Sequence, residues 1–308
     1  MHLITLKNWS NVSTLETVER SLEIKKTPDN YSSALSGKTM ALLFQKTSTR
    51  TRCASEIGIT QLGGHAIYMD WQNTNFGLAD LGDEVRVLSS YADFVLARLM
   101  KHRDIQIAAS ASKVPVINGC CDRYHPLQAL TDLMTIHESF GYLDGVKLTY
   151  IGMQNNVANS LIAASLRSGI HVTCVCPETN PAAQDIELYE EATQAGLYKH
   201  ITENDQLPTV LEKSDVVYTD TWIDMEYFTD PKFSKEKDRR ISLFKPYQLN
   251  TDLLQGLDIK ILHCLPAHHG YEITGELLHD PRSLIFTQAE NRLHSQKAVL
   301  LQLANYVR

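Results

Sequence analysis

Short segments rich in β-branched and other apolar residues alternate with longer stretches of helical periodicity along almost the whole chain, and this alternation constrains the fold more than any other feature. Strands are expected at 40–44, 65–69, 94–99, 115–118, 147–152, 171–176, 216–219, 260–264 and 284–286. Helices are expected at 51–62, 79–91, 126–138, 156–168, 182–195, 207–213 and 292–306. Strands joined through helices enter a sheet in the same direction, so the pattern predicts an α/β protein with parallel sheets. A helix opening at His125-Pro126, with proline at the first helical position, runs to Gly141, and a second alternating set follows it. It marks the junction of two similar-sized domains, 1–138 and 139–291, each a parallel sheet flanked by helices.

The chain has 308 residues, 43% hydrophobic and 21% charged, and no apolar run approaches the ~20 residues of a membrane helix. Its start, Met1-His2-Leu3-Ile4-Thr5-Leu6-Lys7, lacks a signal-peptide pattern, so a cytoplasmic protein is expected with no membrane partner. Six cysteines lie among apolar neighbours without a Cys-x-x-Cys pair, which argues against disulfides and a structural zinc site. A formal net charge of −7 disfavours a nucleic-acid partner.

One local exception to that charge stands out. Phe44-Gln45-Lys46-Thr47-Ser48-Thr49-Arg50-Thr51-Arg52 packs three cations and four hydroxyls behind an apolar strand. A strand that ends in hydroxyl residues and opens a helix offers unpaired N–H groups and side-chain donors to one point, as a phosphate site requires. Ser48 or Thr49 would cap the helix. Gly-x-x-x-x-Gly-Lys-Ser/Thr is absent, so the anion is not expected to be the tail of a nucleoside triphosphate. His125-x-x-Gln128 places two carbonyl-binding side chains at a helix start, and Arg98 closes the apolar segment Phe94-Val95-Leu96-Ala97, where it needs an anion or carboxylate nearby. Ligands of open parallel sheets bind beyond the strands' carboxyl ends, so Lys46 to Arg52, Arg98, His125, Asn155-Asn156, Asp220 and Cys264 could converge on one cleft.

Together, Ser48-Thr49-Arg50-Thr51-Arg52, Arg98 and His125-x-x-Gln128 resemble, in order and spacing, the carbamoyl phosphate site of the aspartate and ornithine carbamoyltransferase superfamily. Asn155-Asn156-Val157-Ala158-Asn159-Ser160, Asp220-Thr221-Trp222-Ile223-x-Met225 and His263-Cys264-Leu265-Pro266-Ala267 are similar to the ornithine branch. Gln288-Ala289-Glu290-Asn291-Arg292 is similar to the entry of its C-terminal helix, here 292–308, which would return to the first domain.

The resemblance implies transfer of a carbamoyl group from carbamoyl phosphate to ornithine, giving citrulline and phosphate in arginine biosynthesis or its catabolic reverse. Ser48, Thr49, Arg50 and Thr51 would hold the phosphate, and Arg98 would bridge phosphate and carbonyl. His125 and Gln128 would bind the carbamoyl end, with Arg292 as a further ligand. Cys264 and Leu265 would edge the carbamoyl and amine pockets, and Asn156 and Asp220, with Asp224 and Met225, would hold the amino-acid end of ornithine. Catalytic roles fall to Arg98, His125 and Cys264. Neither cofactor nor metal is implied. The family also implies a homotrimer, or a multiple of trimers, with sites shared between subunits. Asn75 or Gln72 in the stretch Trp71 to Gly77 would complete a neighbour's site.

The chain departs from the pattern at Asp224-Met225-Glu226, where ornithine enzymes carry Ser-Met-Gly. Asp224 could strengthen binding of an α-ammonium or repel an α-carboxylate. The sister reading is therefore a carbamoyltransferase for putrescine, agmatine, lysine or another amine. From another class comes a non-catalytic phosphate-binding paralogue, against which the intact set Arg50, Arg98, His125, Gln128 and Arg292 argues. The charged stretch 235–240 reads as a solvated helix face.

Overall fold

The computed structural model describes residues 1–223 and 231–305. The chain forms two compact units, Met1–Tyr142 with Glu290–Arg308, and Leu143–Ala289. In chain order the first unit contains helix α1 (Asn11–Lys26), strand β1 (Thr39–Phe44), α2 (Thr49–Gln61), β2 (His65–Asp70), α3 (Leu81–Leu88), β3 (Phe94–Arg98), α4 (His102–Ala111), β4 (Val116–Asn118) and α5 (Pro126–Phe140). The second follows with β5 (Lys147–Ile151), α6 (Asn156–Ser168), β6 (His171–Val175), α7 (Ile186–Gln194), β7 (Tyr198–Ile201), α8 (Leu207–Leu211), β8 (Val216–Thr219), α9 (Ser234–Phe244), β9 (Lys260–His263) and α10 (Gly275–Leu278). The last helix, α11 (Ile285–Leu303), starts in the second unit and continues into the first. No described helix is long and apolar enough to cross a membrane.

Both sheets are parallel, as expected, with strand orders β2-β1-β3-β4 and β7-β6-β5-β8-β9. Central strands of such sheets are covered on both faces and so read as continuous apolar runs. Met40 to Phe44 of β1 and Val216 to Thr219 of β8 are accordingly buried throughout. Each order reverses once. The first reverses between β1 and β3, where Phe44 stands beside Arg98, and the second between β5 and β8, where Ile151 stands beside Thr219. At such reversals the loops leaving neighbouring strands diverge and open a crevice beyond their carboxyl ends.

Several expected elements are corrected. The segment 284–286 is not a strand: Ser283 makes one isolated bridge to Ile261, and the chain is helical from Ile285. A three-residue apolar run does not distinguish a strand from the first turn of a helix. Strand β7 was not expected, because the edge position leaves Lys199 and His200 exposed and breaks the apolar run. Helix α1 escaped notice because it buries mainly hydroxyls, Thr14, Thr17 and Ser21, rather than an apolar stripe. Helix α4 buries only Ile105 and Ala108. The charged stretch 235–240 is helical, but not wholly solvated. Arg240 is 8% exposed and donates to the Trp222 carbonyl at 3.2 Å, and Arg239 grips Glu178 through two nitrogens at 2.7 and 2.9 Å.

Candidate active site

In the first unit the reversal point is built from the start of α2, the end of β3 and the start of α5. Ser48 caps α2: its backbone is extended, and its Oγ accepts from the Thr51 N–H at 3.3 Å. Thr49 is exposed and Arg50 half-buried in the first turn. Arg52 is occupied elsewhere, with its guanidinium 3.6 Å over the Tyr68 ring and 3.1 Å from Glu56. Arg50 belongs with the cluster described next, because its field reaches His125.

Buried Thr51 accepts from Arg292 Nη2 at 2.9 Å, and Arg292 Nη1 donates to Gln128 Oε1 at 2.5 Å. Gln128 Nε2 then donates to Asp132 Oδ1 at 2.8 Å. The chain Thr51–Arg292–Gln128–Asp132 ties α2, α11 and α5 together, and all four residues are buried. Ser55 to Gln296 at 2.5 Å and Thr131 to Ser295 at 2.6 Å pin α11 alongside.

His125 is the N-cap of α5, in front of Pro126, and is 8% exposed. Burial, then the positive fields of Arg292, Arg98 and Arg50, push its pKa well below the ordinary 6.5. The imidazole is therefore neutral at physiological pH, among three guanidiniums. Arg98 departs from expectation. Its Nη1 donates to the Gly119 carbonyl at 3.2 Å, its Nε has no hydrogen-bond partner, and it forms no ion pair among the described residues. Gly119 packs closely against β3: a Cβ there would lie 2.7 Å from the Leu96 side chain and 3.4 Å from the Arg98 Cβ. Asn75 and Gln72 are exposed in two short 3-10 turns after β2, and neither is bonded to this cluster.

In the second unit the reversal point gathers Asn155, Asp220 and the segment after β9. Gly152 leaves β5 with φ of 137°, a conformation unfavourable to residues with a Cβ, and turns the chain toward Asn155. Asn155 caps α6 through Oδ1, at 2.9 Å from the Val157 nitrogen, while its Nδ2 donates to Asp220 Oδ2 at 2.8 Å. Asn156, the residue singled out by sequence, is the first helical residue and half-buried. Asp220 Oδ1 accepts from the Thr221 N–H at 2.8 Å and from Cys264 Sγ at 3.0 Å. Asp220 is thus a carboxylate, 6% exposed, with three neutral donors and no ion pair among the described residues. The thiol of Cys264 donates, so its proton points at Asp220.

Leu265 adopts φ of 57°, in the left-handed region, and its N–H donates to His263 Nδ1 at 2.8 Å. That bond leaves the proton of the neutral ring on Nε2, which donates to fully buried Glu272 at 3.1 Å. Burial would raise the Glu272 carboxyl, but hydrogen bonds from His263 and His268 outweigh it and hold the pKa at about 2. Asp220, His263 and Cys264 place one donor atom each within 4.8 Å of one another, which could hold a metal ion. Both His263 nitrogens and the Cys264–Asp220 pair are already hydrogen-bonded, so a metal would have to displace those contacts. Asp224 and Met225 lie outside the described residues.

Sequence reasoning missed Asp132, Glu272 and the capping role of Asn155. An acid four residues after Gln128, on the same helix face, was the available signal for Asp132. Glu272 carried none.

Residues 1–138 match the family profile described as aspartate/ornithine carbamoyltransferase, carbamoyl-P binding domain, and residues 144–303 match its Asp/Orn binding domain. The chain is similar to the ornithine carbamoyltransferase of Moritella profunda, 40% identical over 305 residues that span 98% of this chain and 99% of that protein. It is also similar to that of Bacillus cereus (strain AH187), 37% identical over 306 residues, 98% of this chain and 93% of that one. Among solved structures, ornithine carbamoyltransferase from Pyrococcus furiosus superposes with a TM-score of 0.89 at 35% identity, covering 100% of this chain and 98% of that chain. With both profiles and these full-length relatives, the chain belongs to the aspartate/ornithine carbamoyltransferase family.

Proposed function

We propose that this protein transfers the carbamoyl group of carbamoyl phosphate to the δ-amine of L-ornithine, giving L-citrulline and phosphate. The observation that carries the reading is that the two units carry unlike reversal points. One gathers Arg50, Arg98 and Arg292 around a neutral histidine, and the other holds a nearly buried carboxylate with no ion pair among the described residues. The first suits an anionic donor and the second an ammonium-bearing acceptor.

In this reading the N–H groups at the start of α2, with Ser48, Thr49, Arg50 and Thr51, bind the phosphate. Arg98 spans phosphate and carbonyl. His125, being neutral, donates an N–H to the carbonyl oxygen without adding to the positive charge, and Gln128 orients the carbamoyl amide. Arg292 holds both Thr51 and Gln128 in place. As the amine adds, charge develops on the carbonyl oxygen, and donors fixed beforehand stabilise it without reorganising. Asp220 takes the α-ammonium and Asn156 the α-carboxylate, while Cys264 and Leu265 edge the amine pocket. Because Cys264 already donates to Asp220, the departing phosphate is the better acceptor for the amine proton.

The assembly follows the same reading. Ile67 on the edge strand β2, Ile57 on the helix α2 packed against it, and Leu78, Val87 and Tyr91 further along the first unit are all more than 45% exposed. Such an apolar surface fits a subunit interface of a cytoplasmic homotrimer in which Asn75 completes a neighbouring site. Mixing Arg98→Ala with Asn75→Ala subunits should then restore some activity once hybrids form. The main test is citrulline formation from carbamoyl phosphate with ornithine, putrescine, agmatine and lysine compared as acceptors. Putrescine exceeding ornithine in kcat/KM would favour the reading in which Asp224 excludes an α-carboxylate.

A further inference from the structure

The second unit contains a cavity of about 430 Å³ that the carbamoyl-transfer reading leaves unused. It lies at the far end of the sheet from Asn155 and Asp220: its lining includes Lys147 and Thr149, at the start of β5, whereas Asn155 follows the end of that strand. Strand register explains its composition. Lys147 pairs with His171, and Thr149 with Thr173, which pairs with Lys199, so these five side chains share one face. Two residues further along the same face, Ile151, Val175 and Ile201 pack into the apolar core with Leu207 and Leu211 of α8.

A parallel sheet normally buries both faces under apolar side chains. Here one face turns basic and hydroxylic halfway along its strands. Thr209, Val210 and Lys213, on and just after α8, wall the space, and Thr149 and Ser214 close one side with a 2.7 Å hydrogen bond. Lys147, Lys199 and Lys213 form no ion pair among the described residues, and Asp205 is the one carboxylate in the lining. The balance is positive, in a volume within the ~300–1,000 Å³ range of small-molecule sites.

The spacing of the charges selects the ligand. Lys147 and Lys199 are two strands and two residues apart, roughly 12 Å between Cα atoms. No arginine lines the cavity to grip a phosphate bidentately. Cations this dispersed suit an anion whose charges are themselves separated. We propose that the cavity is a binding site for a small di- or tricarboxylate, with separate carboxylates on separate lysines and the hydroxyls of Thr149, Thr173 and Thr209 bonding the remaining oxygens.

Citrate titrated calorimetrically into the full chain at low salt tests this, with inorganic phosphate as the compact-anion control. Citrate should bind with Kd below ~1 mM and phosphate more weakly. The double variant Lys199→Ala/Lys213→Ala should weaken citrate at least about tenfold, with citrulline formation unchanged. Thr209→Trp, which fills the space, should abolish binding, whereas Arg50→Ala should leave it intact. The proposal is overturned by the absence of binding at ~10 mM citrate, by equal affinity of the double variant, by phosphate matching citrate, or by loss of binding in Arg50→Ala.

Discussion

Replacing Glu272 by glutamine removes a buried charge while preserving shape, and it asks how the Cys264-Leu265 segment is held. Glu272 Oε1 accepts from His263 Nε2 at 3.1 Å and from the His268 N–H at 2.6 Å. Its pKa of about 2, against an ordinary 4.5, corresponds to about 3 kcal/mol favouring the ionised form. Glutamine can still accept both bonds through its oxygen. Bonds to a charged acceptor contribute ~1.5–3 kcal/mol and neutral ones ~0.5–1.5, so the two together should lose about 2 kcal/mol. The sign follows from the depressed folded value. The contribution is fully present above pH 4.5 and is lost as pH falls through about 2, so the two proteins should converge in strong acid. Urea unfolding at neutral pH and again near pH ~3 measures both quantities. Because His263 Nδ1 also holds the Leu265 N–H, kcat/KM for ornithine should fall while KM for carbamoyl phosphate changes little. A variant as stable as the wild type at neutral pH, or a stability gap that does not narrow in acid, would refute the reasoning.

Arg98→Ala should lower turnover at least about a hundredfold with the fold intact, since one charge-stabilising donor typically contributes ~2.7–4 kcal/mol to the transition state; near-normal activity in a citrulline assay would remove Arg98 from the site. His125 should show no titration near 6.5 by NMR, and Arg292→Met, which removes the largest of its neighbouring fields, should move its pKa upward. Because its folded value is depressed, His125 contributes stability above about pH 6.5 that is lost as pH falls toward the folded value. Asp132→Ala should cut activity by freeing the Gln128 amide, while Asp132→Asn, which keeps an acceptor oxygen 2.8 Å away, should recover much of it; equal losses in the two variants would count against a positioning role.

Local chemistry was readable at several positions where a residue's role depends on its neighbours in sequence, though not at Asn155, whose cap of α6 is equally local. Ser48 capping α2, Pro126 opening α5 and Gly141 closing it with φ of 81° follow from backbone donors, a fixed φ and a missing Cβ, all properties of a few consecutive residues. The parallel α/β class followed from alternation alone. Elements stabilised by tertiary burial of polar faces were not readable. Helix α1 packs hydroxyls and β7 is an exposed edge, so neither carries the apolar period on which pattern reading depends.

The candidate site divides in the same way. The sequence by itself determined which groups are present: the hydroxyl and arginine turn at 48–52, Arg98, His125, Gln128, Asp220 and Cys264, at strand ends where ligand-binding residues of such sheets lie. Only tertiary structure decided their state. Arg292 reaches Gln128 across 164 positions and Thr51 across 241, His125 becomes neutral because folding buries it and then sets three distant arginines around it, and Cys264 becomes a donor because Asp220 arrives from another strand. Protonation and hydrogen-bond direction depend on fields and partners within a few ångströms in space, and folding alone chooses those neighbours.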